Sequence, residues 1–115
     1  MKHVSDFVTF DFKKWSEGKV FEVIGVYDDK RKDTGEATGL KNILVAIDQD
    51  SCPNYKLREG ETSFTLKYEK VYFKVRKCEV LPGDRVDFEN VVCNVSAKNG
   101  FLSVYFNADK AYKKK

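Results

Sequence analysis

Alternation of apolar and polar positions dominates the chain, and it is sharpest from Ser63 to Cys78, SFTLKYEKVYFKVRKC. A strand presents opposite faces at successive residues, so such alternation predicts a long third strand over residues 61 to 78. Its apolar set sits on even positions at Phe64, Leu66 and Tyr68, then on odd positions at Val71, Phe73 and Val75. A one-residue slip of this kind requires a bulge or sharp bend near Glu69 and Lys70. Beyond the bend, the face turned from the core carries Lys70, Tyr72, Lys74 and Arg76. One aromatic among three cations at strand spacing suits base stacking and phosphate neutralisation, although an ordinary solvated strand face looks similar.

The same periodicity gives strands at about 19 to 28, 40 to 49, 85 to 96 and 101 to 109. Residues 7 to 12, FVTFDF, read as a short extra strand or an ordered arm. Gly25, inside the first of these strands, marks a bulge or tight bend. Asp29 to Gly39 and Gln49 to Gly60 are loops by their Gly, Pro and charged residues, and Leu81-Pro82-Gly83-Asp84 is a turn. Asn99-Gly100 is the favoured pair for a two-residue hairpin. Counted outward from it, Ala97 faces Leu102, Val95 faces Val104, Cys93 faces Phe106 and Val91 faces Ala108, an all-apolar set. The opposite face pairs Lys98 with Phe101, Ser96 with Ser103, Asn94 with Tyr105 and Val92 with Asn107. No segment keeps helical periodicity over ten residues, so the class is all-β, with at most a helical turn near Lys13 to Ser16 or after Ser51.

Length changes this picture little: 115 residues suit a single domain with its own core. Charge changes it more. The net charge of +3 includes Lys110, Lys113, Lys114 and Lys115; without them 17 basic residues face 18 acidic ones. Residues 110 to 115 thus read as a basic tail on a domain of residues 1 to 109, and Ser63 to Cys78, with five cations and one acid, is the basic concentration of the folded part. Lys30, Arg31 and Lys32 offer a second, diluted cluster. Cys52, Cys78 and Cys93 lack disulfide or zinc spacing and read as free thiols, with Cys93 buried. No stretch has the length of a membrane span or the form of a signal segment, which places the protein in the cytoplasm. The single histidine, His3, lies at the terminus, and neither a Walker sequence nor GxGxxG occurs, so catalysis, cofactor binding and a metal site are not expected; acidic pairs such as Asp48 and Asp50 read as solubilising.

A Gly-containing first strand, a bent third strand and a closing hairpin fit the five-stranded Greek-key OB-fold, which binds oligonucleotides across its second and third strands. Residues 81 to 113, LPGDRVDFENVVCNVSAKNGFLSVYFNADKAYK, resemble the fourth and fifth strands of single-stranded DNA-binding proteins, most nearly the small bacteriophage ones; Leu81, Gly83, Asp84 and Val86 match that family's turn into strand 4. The helix that housekeeping members carry before this turn has no room here, and their acidic tail is replaced by lysines. The resemblance implies sequence-independent single-stranded DNA binding in phage or mobile-element replication or recombination, alongside other replication or recombination proteins, and the small site of a single OB-fold suits a dimer or tetramer. Bases would stack on Tyr72 and on Tyr68, Tyr105 or Trp15, with Lys67, Lys70, Lys74, Arg76 and Lys41 at the backbone. Tyr68 shares the parity of Phe64 and Leu66, which also suits the core, and for Trp15 a lid over the core is the favoured reading. The alternatives are a protein-interaction adaptor of a mobile element and an RNA-binding OB domain.

Overall fold

The computed structural model describes residues 9–98 and 101–114. Six strands follow one short helix: α1 (Phe12–Ser16), β1 (Lys19–Lys30), β2 (Ala37–Asp50), β3 (Lys70–Cys78), β4 (Arg85–Glu89), β5 (Val92–Lys98) and β6 (Phe101–Lys113). They form one sheet in the order β3-β2-β1-β4-β6-β5, with every neighbouring pair antiparallel, and a further, parallel pairing joins β3 to β6.

The hairpin register matches the alternation: Val95 pairs with Val104, Cys93 with Phe106 and Asn94 with Tyr105. The Asn99-Gly100 turn itself lies outside the described residues. β4 and β5 are two halves of one predicted strand, interrupted at Asn90, whose φ of 54° is left-handed. Their pairing with β6 continues without a shift, from Glu89 opposite Lys110 to Val92 opposite Asn107.

Three expectations are corrected. Residues 9 to 11 form no strand and Phe12 opens α1, capped by the Asp11 carboxylate, which accepts from the Lys14 N–H at 3.0 Å; Phe7 and Val8 lie outside the described residues. β6 runs on through Lys113, so most of the supposed basic tail belongs to the sheet: Ala111 is fully buried, and Lys110 and Lys113 face Glu79 and Asp84 at 3.3 and 3.8 Å. The third strand begins at Lys70, not 61, because the preceding segment finds other partners.

Phe73 is the centre of the core. Its ring stacks on Phe88 at 3.9 Å and on Phe106 at 4.8 Å, while Phe12 and Phe21 meet it edge-on. Trp15 lies over Phe21 and Phe106, so the indole is a half-buried lid. Cys93 is half-buried rather than buried, and burial pushes its thiol pKa up.

Lys19 and Asp50 end the pairing of β1 with β2 and form a wholly buried ion pair at 3.3 Å. The ammonium also donates to the Trp15 carbonyl at 2.7 Å and sits 4.6 Å from both the Trp15 and Tyr55 ring centres. The carboxylate accepts from the Tyr55 hydroxyl and the Leu66 N–H, both at 2.7 Å, and from the Cys52 N–H at 3.1 Å. Leu66 is therefore held by a side chain rather than by a ladder, which is why Ser63 to Leu66 is not strand. Burial opposes ionisation of Asp50, but the N–H groups of Leu66 and Cys52, the Tyr55 hydroxyl and Lys19 together hold its pKa below the usual carboxylate range.

Replacing one member of a buried pair strands the other charge, so Asp50→Ala should cost about 3–5 kcal/mol in chemical denaturation, whereas Lys19→Met with Asp50→Leu should recover only the part due to the stranded charge, since the Cys52 and Leu66 N–H groups and the Tyr55 hydroxyl still lose their acceptor. A lowered carboxylate pKa stabilises the fold above the unfolded value of about 4 and ceases to do so as pH falls through the folded value. Stability measured against pH should therefore drop below about pH 4, and this part of the drop should be missing in the double variant.

Candidate nucleic-acid interface

The slip in alternation is a bulge at Tyr68 and Glu69, both opposite Ile47. The Tyr68 N–H donates to the Ile47 carbonyl at 2.7 Å, and the Ile47 N–H donates to the Glu69 carbonyl at 2.9 Å. Tyr68 is also the third residue of a tight turn closed by Glu69 N–H to the Leu66 carbonyl at 3.0 Å, with φ 75°. That is the position of a type II turn that normally takes Gly or Asn. The bulge falls one residue before the expected Glu69 and Lys70, and its effect is the expected one. Val71, Phe73 and Val75 face the core, and Lys70, Tyr72, Lys74 and Arg76 face outward.

Pairing lays these residues out as a grid. One outward row runs Tyr27, Asn42, Lys74, Asn107 and Val92 across β1, β2, β3, β6 and β5; the next contains Leu44 opposite Tyr72, and Tyr105 opposite Asn94. Tyr27, Asn42, Lys74 and Asn107 of the first row and Tyr72 and Tyr105 of the second, with Lys32 and Lys70, line an open groove of about 1070 Å³. Tyr72 and Tyr105 are 58% and 59% exposed. Packed phenols of the core would be covered, so these rings present free faces.

The electrostatics of the groove are uneven. Lys70 and Lys32 make no ion pair among the described residues, while Lys74 approaches Asp29 at 3.6 Å. Hydrogen bonds from Thr38 at 2.8 Å and Asn42 at 3.1 Å, against some desolvation and with Lys74 alongside, hold Asp29 below the usual carboxylate range. Asp29 thereby tethers Lys74 and offsets part of its charge.

No family model, curated protein or solved structure matches the chain. The site therefore stands on geometry.

Of the nine residues singled out from sequence, Lys70, Tyr72, Lys74 and Tyr105 meet in the groove. Arg76 lies in an adjoining cleft that shares Lys74 and Asn107 with it, near Asp109 at 3.9 Å. Tyr68 is 72% exposed, not core, with the Lys67 ammonium 5.0 Å from its ring centre; both project from the turn that leads into β3. Lys41 does not join them. It pairs across the sheet with Val75, in the row parity of Ile43 and Val45, on the opposite side of β2 from Asn42, and it forms an ion pair with Asp28. Trp15 is the lid described above and lines no part of the groove. Asn42, Asn107 and Tyr27 were missed; for Tyr27 the available signal was its place two residues after Gly25, on the same side of β1.

A left-handed Tyr in a type II turn is strained where Gly would not be. After allowance for glycine's greater freedom in the unfolded chain, Tyr68→Gly should raise stability by about 0.5–1 kcal/mol in urea denaturation. A loss of stability would show that the Tyr68 side chain contributes packing that outweighs the strain.

Proposed function

We propose that the protein folds as a five-stranded OB-type barrel that binds single-stranded DNA without reading its sequence. Bases stack on Tyr72 and Tyr105, and Lys70, Lys74 and Lys32 meet the backbone. One observation carries the reading: two exposed phenols on adjacent strands share a groove with three lysines, the pairing of stacking platform and cationic wall that single strands require. The strand pairings support the barrel, since β3-β2-β1-β4-β6 plus the parallel β6 to β3 pairing make a five-strand circuit, with the groove on the side of β2 and β3 where OB-folds bind. The choice of DNA over RNA rests on the resemblance of residues 81 to 113, because stacking and charge serve either.

The test is titration of fluorescently labelled oligo-dT at about 50 and 200 mM salt. Binding that weakens with salt is expected, and absence of binding at the lower salt overturns the proposal. Tyr72→Ala should weaken binding by about 1–3 kcal/mol at both salts. Lys70→Ala should instead flatten the plot of log affinity against log salt by about 0.7, the share of one cation on a single strand. Lys74→Ala should flatten it less, because Asp29 already offsets that charge. Competition by oligo-U of equal length decides between DNA and RNA.

A further inference from the structure

We infer that Tyr27 is a third stacking platform, folded back over Gly25, so that the bound strand crosses β1, β2, β3 and β6 in one line. This rests on the single-strand reading above and adds a residue, a positioning glycine and a path to it.

Gly25 is not among the left-handed glycines, so no backbone angle requires it. What requires it is space. A Cβ at Gly25 would lie 2.5 Å from the Tyr27 Oη, 2.7 Å from Cζ and 2.8 Å from Cε2. These three atoms belong to the far end of the phenol, so the ring folds back over the glycine instead of standing up from the strand. The end of the ring occupies the space that a side chain at residue 25 would take, and Tyr27 is still 52% exposed. A phenol laid down in this way offers a face to solvent already ordered, and a base stacking on it loses little side-chain freedom.

The pairing fixes where that face lies. Ile24 is the extra residue of a bulge, after which Gly25 pairs with Leu44 and Leu44 with Tyr72. The Tyr27 ring, displaced onto Gly25, thus enters the row of Tyr72. On the other side of Tyr72, the parallel register of Phe73 with Phe106 sets Tyr105 beside it on β6. Neighbouring strands are about 4.8 Å apart, so the Gly25 site and Tyr72 are separated by about 9.6 Å, with Leu44 between. Adjacent stacked bases rise only about 3.4 Å, so Tyr27 receives a base of its own. The parallel row of Asn42, Lys74 and Asn107 runs alongside and supplies hydrogen-bonding groups and one cation along the same line.

A simpler role is available, since an aromatic side chain can cover a strand glycine for stability alone. Substitutions separate the two. Tyr27→Leu keeps a cover but removes the π-face, Gly25→Ala keeps the ring but lifts it, and Tyr27→Phe keeps ring and position. With oligo-dT as the probe, Tyr27→Leu and Gly25→Ala should each lower affinity about 5- to 150-fold, the range for loss of one stacked base. The double variant should lose no more than the weaker-binding single variant, because both remove the same contact. Tyr27→Phe should bind like the wild type. In a series of graded oligo-dT lengths, Tyr27→Leu should reach its affinity plateau at a shorter length. If Tyr27→Leu binds as tightly as the wild type while Tyr72→Ala is weakened, the inference is overturned and the function stands. Additive losses in the double variant would overturn the positioning role of Gly25, and should Gly25→Ala fail to fold, Tyr27→Leu against Tyr27→Phe still decides the platform. Failure of the wild type to bind oligo-dT removes the function itself.

Discussion

One buried ion pair holds the parts of this molecule in their places. The Lys19 ammonium and the Asp50 carboxylate sit where β1 begins and β2 ends, and each has a second duty. Lys19 fixes α1 through the Trp15 carbonyl and ring, which sets the lid over Phe21 and Phe106. Asp50 fixes the segment after β2 through Cys52, Tyr55 and Leu66. Two desolvated charges are tolerable only when every remaining lone pair and proton finds a partner, and the cage of two aromatic rings and three donors meets that condition. Gly18 belongs to the same knot. Its carbonyl accepts from the Ser51 N–H at 2.9 Å, and a Cβ there would come within 2.7 Å of the Ser51 backbone.

From Leu66 the chain has four residues in which to enter β3 with the correct face outward. The turn through Tyr68 and the bulge opposite Ile47 accomplish this by spending one residue without advancing the ladder. Without that step the parity of Phe64 and Leu66 would carry on, Lys70 and Tyr72 would point into the core and Phe73 out of it. A strained residue at a switch of this kind is held by its surroundings, and here those surroundings begin at Asp50.

Much of this was legible in the sequence where side-chain alternation and backbone geometry say the same thing. The hairpin around Asn99-Gly100 is one case, with its apolar set Ala97, Val95 and Cys93 against Leu102, Val104 and Phe106. The outward stripe of β3 is another, because the slip in parity had to be absorbed somewhere near Glu69. Ser63 to Leu66 misled because alternation reports which side of a segment is buried, not what its N–H groups bond to, and a carboxylate fifty residues into the chain replaced the ladder. The lysines after Ala108 hid the continuation of β6, since only Ala111 among them reaches the core. Lys41 was misplaced although the information was present: it shares parity with Ile43, Val45 and Ile47, the buried side of β2. For Tyr27, periodicity could place the residue on the side of β1 that carries Gly25, but not its ring over that glycine.

The parallel seam of β3 against β6 has a consequence for assembly. β1, β2 and β3 form a meander of neighbours in sequence, and β4, β5 and β6 form a second unit around a hairpin; the two meet along β1 against β4 and again at the parallel seam, where Phe73 lies beside Phe106. The groove straddles that seam, with Lys70 and Tyr72 from one unit and Tyr105 and Asn107 from the other. Neither unit holds the face alone. Non-local parallel pairing forms late in folding because the intervening chain must be closed first. A partly folded chain therefore displays lysines and phenols but no aligned row of them, and the docking step that completes the aromatic core is also the one that assembles the proposed binding face.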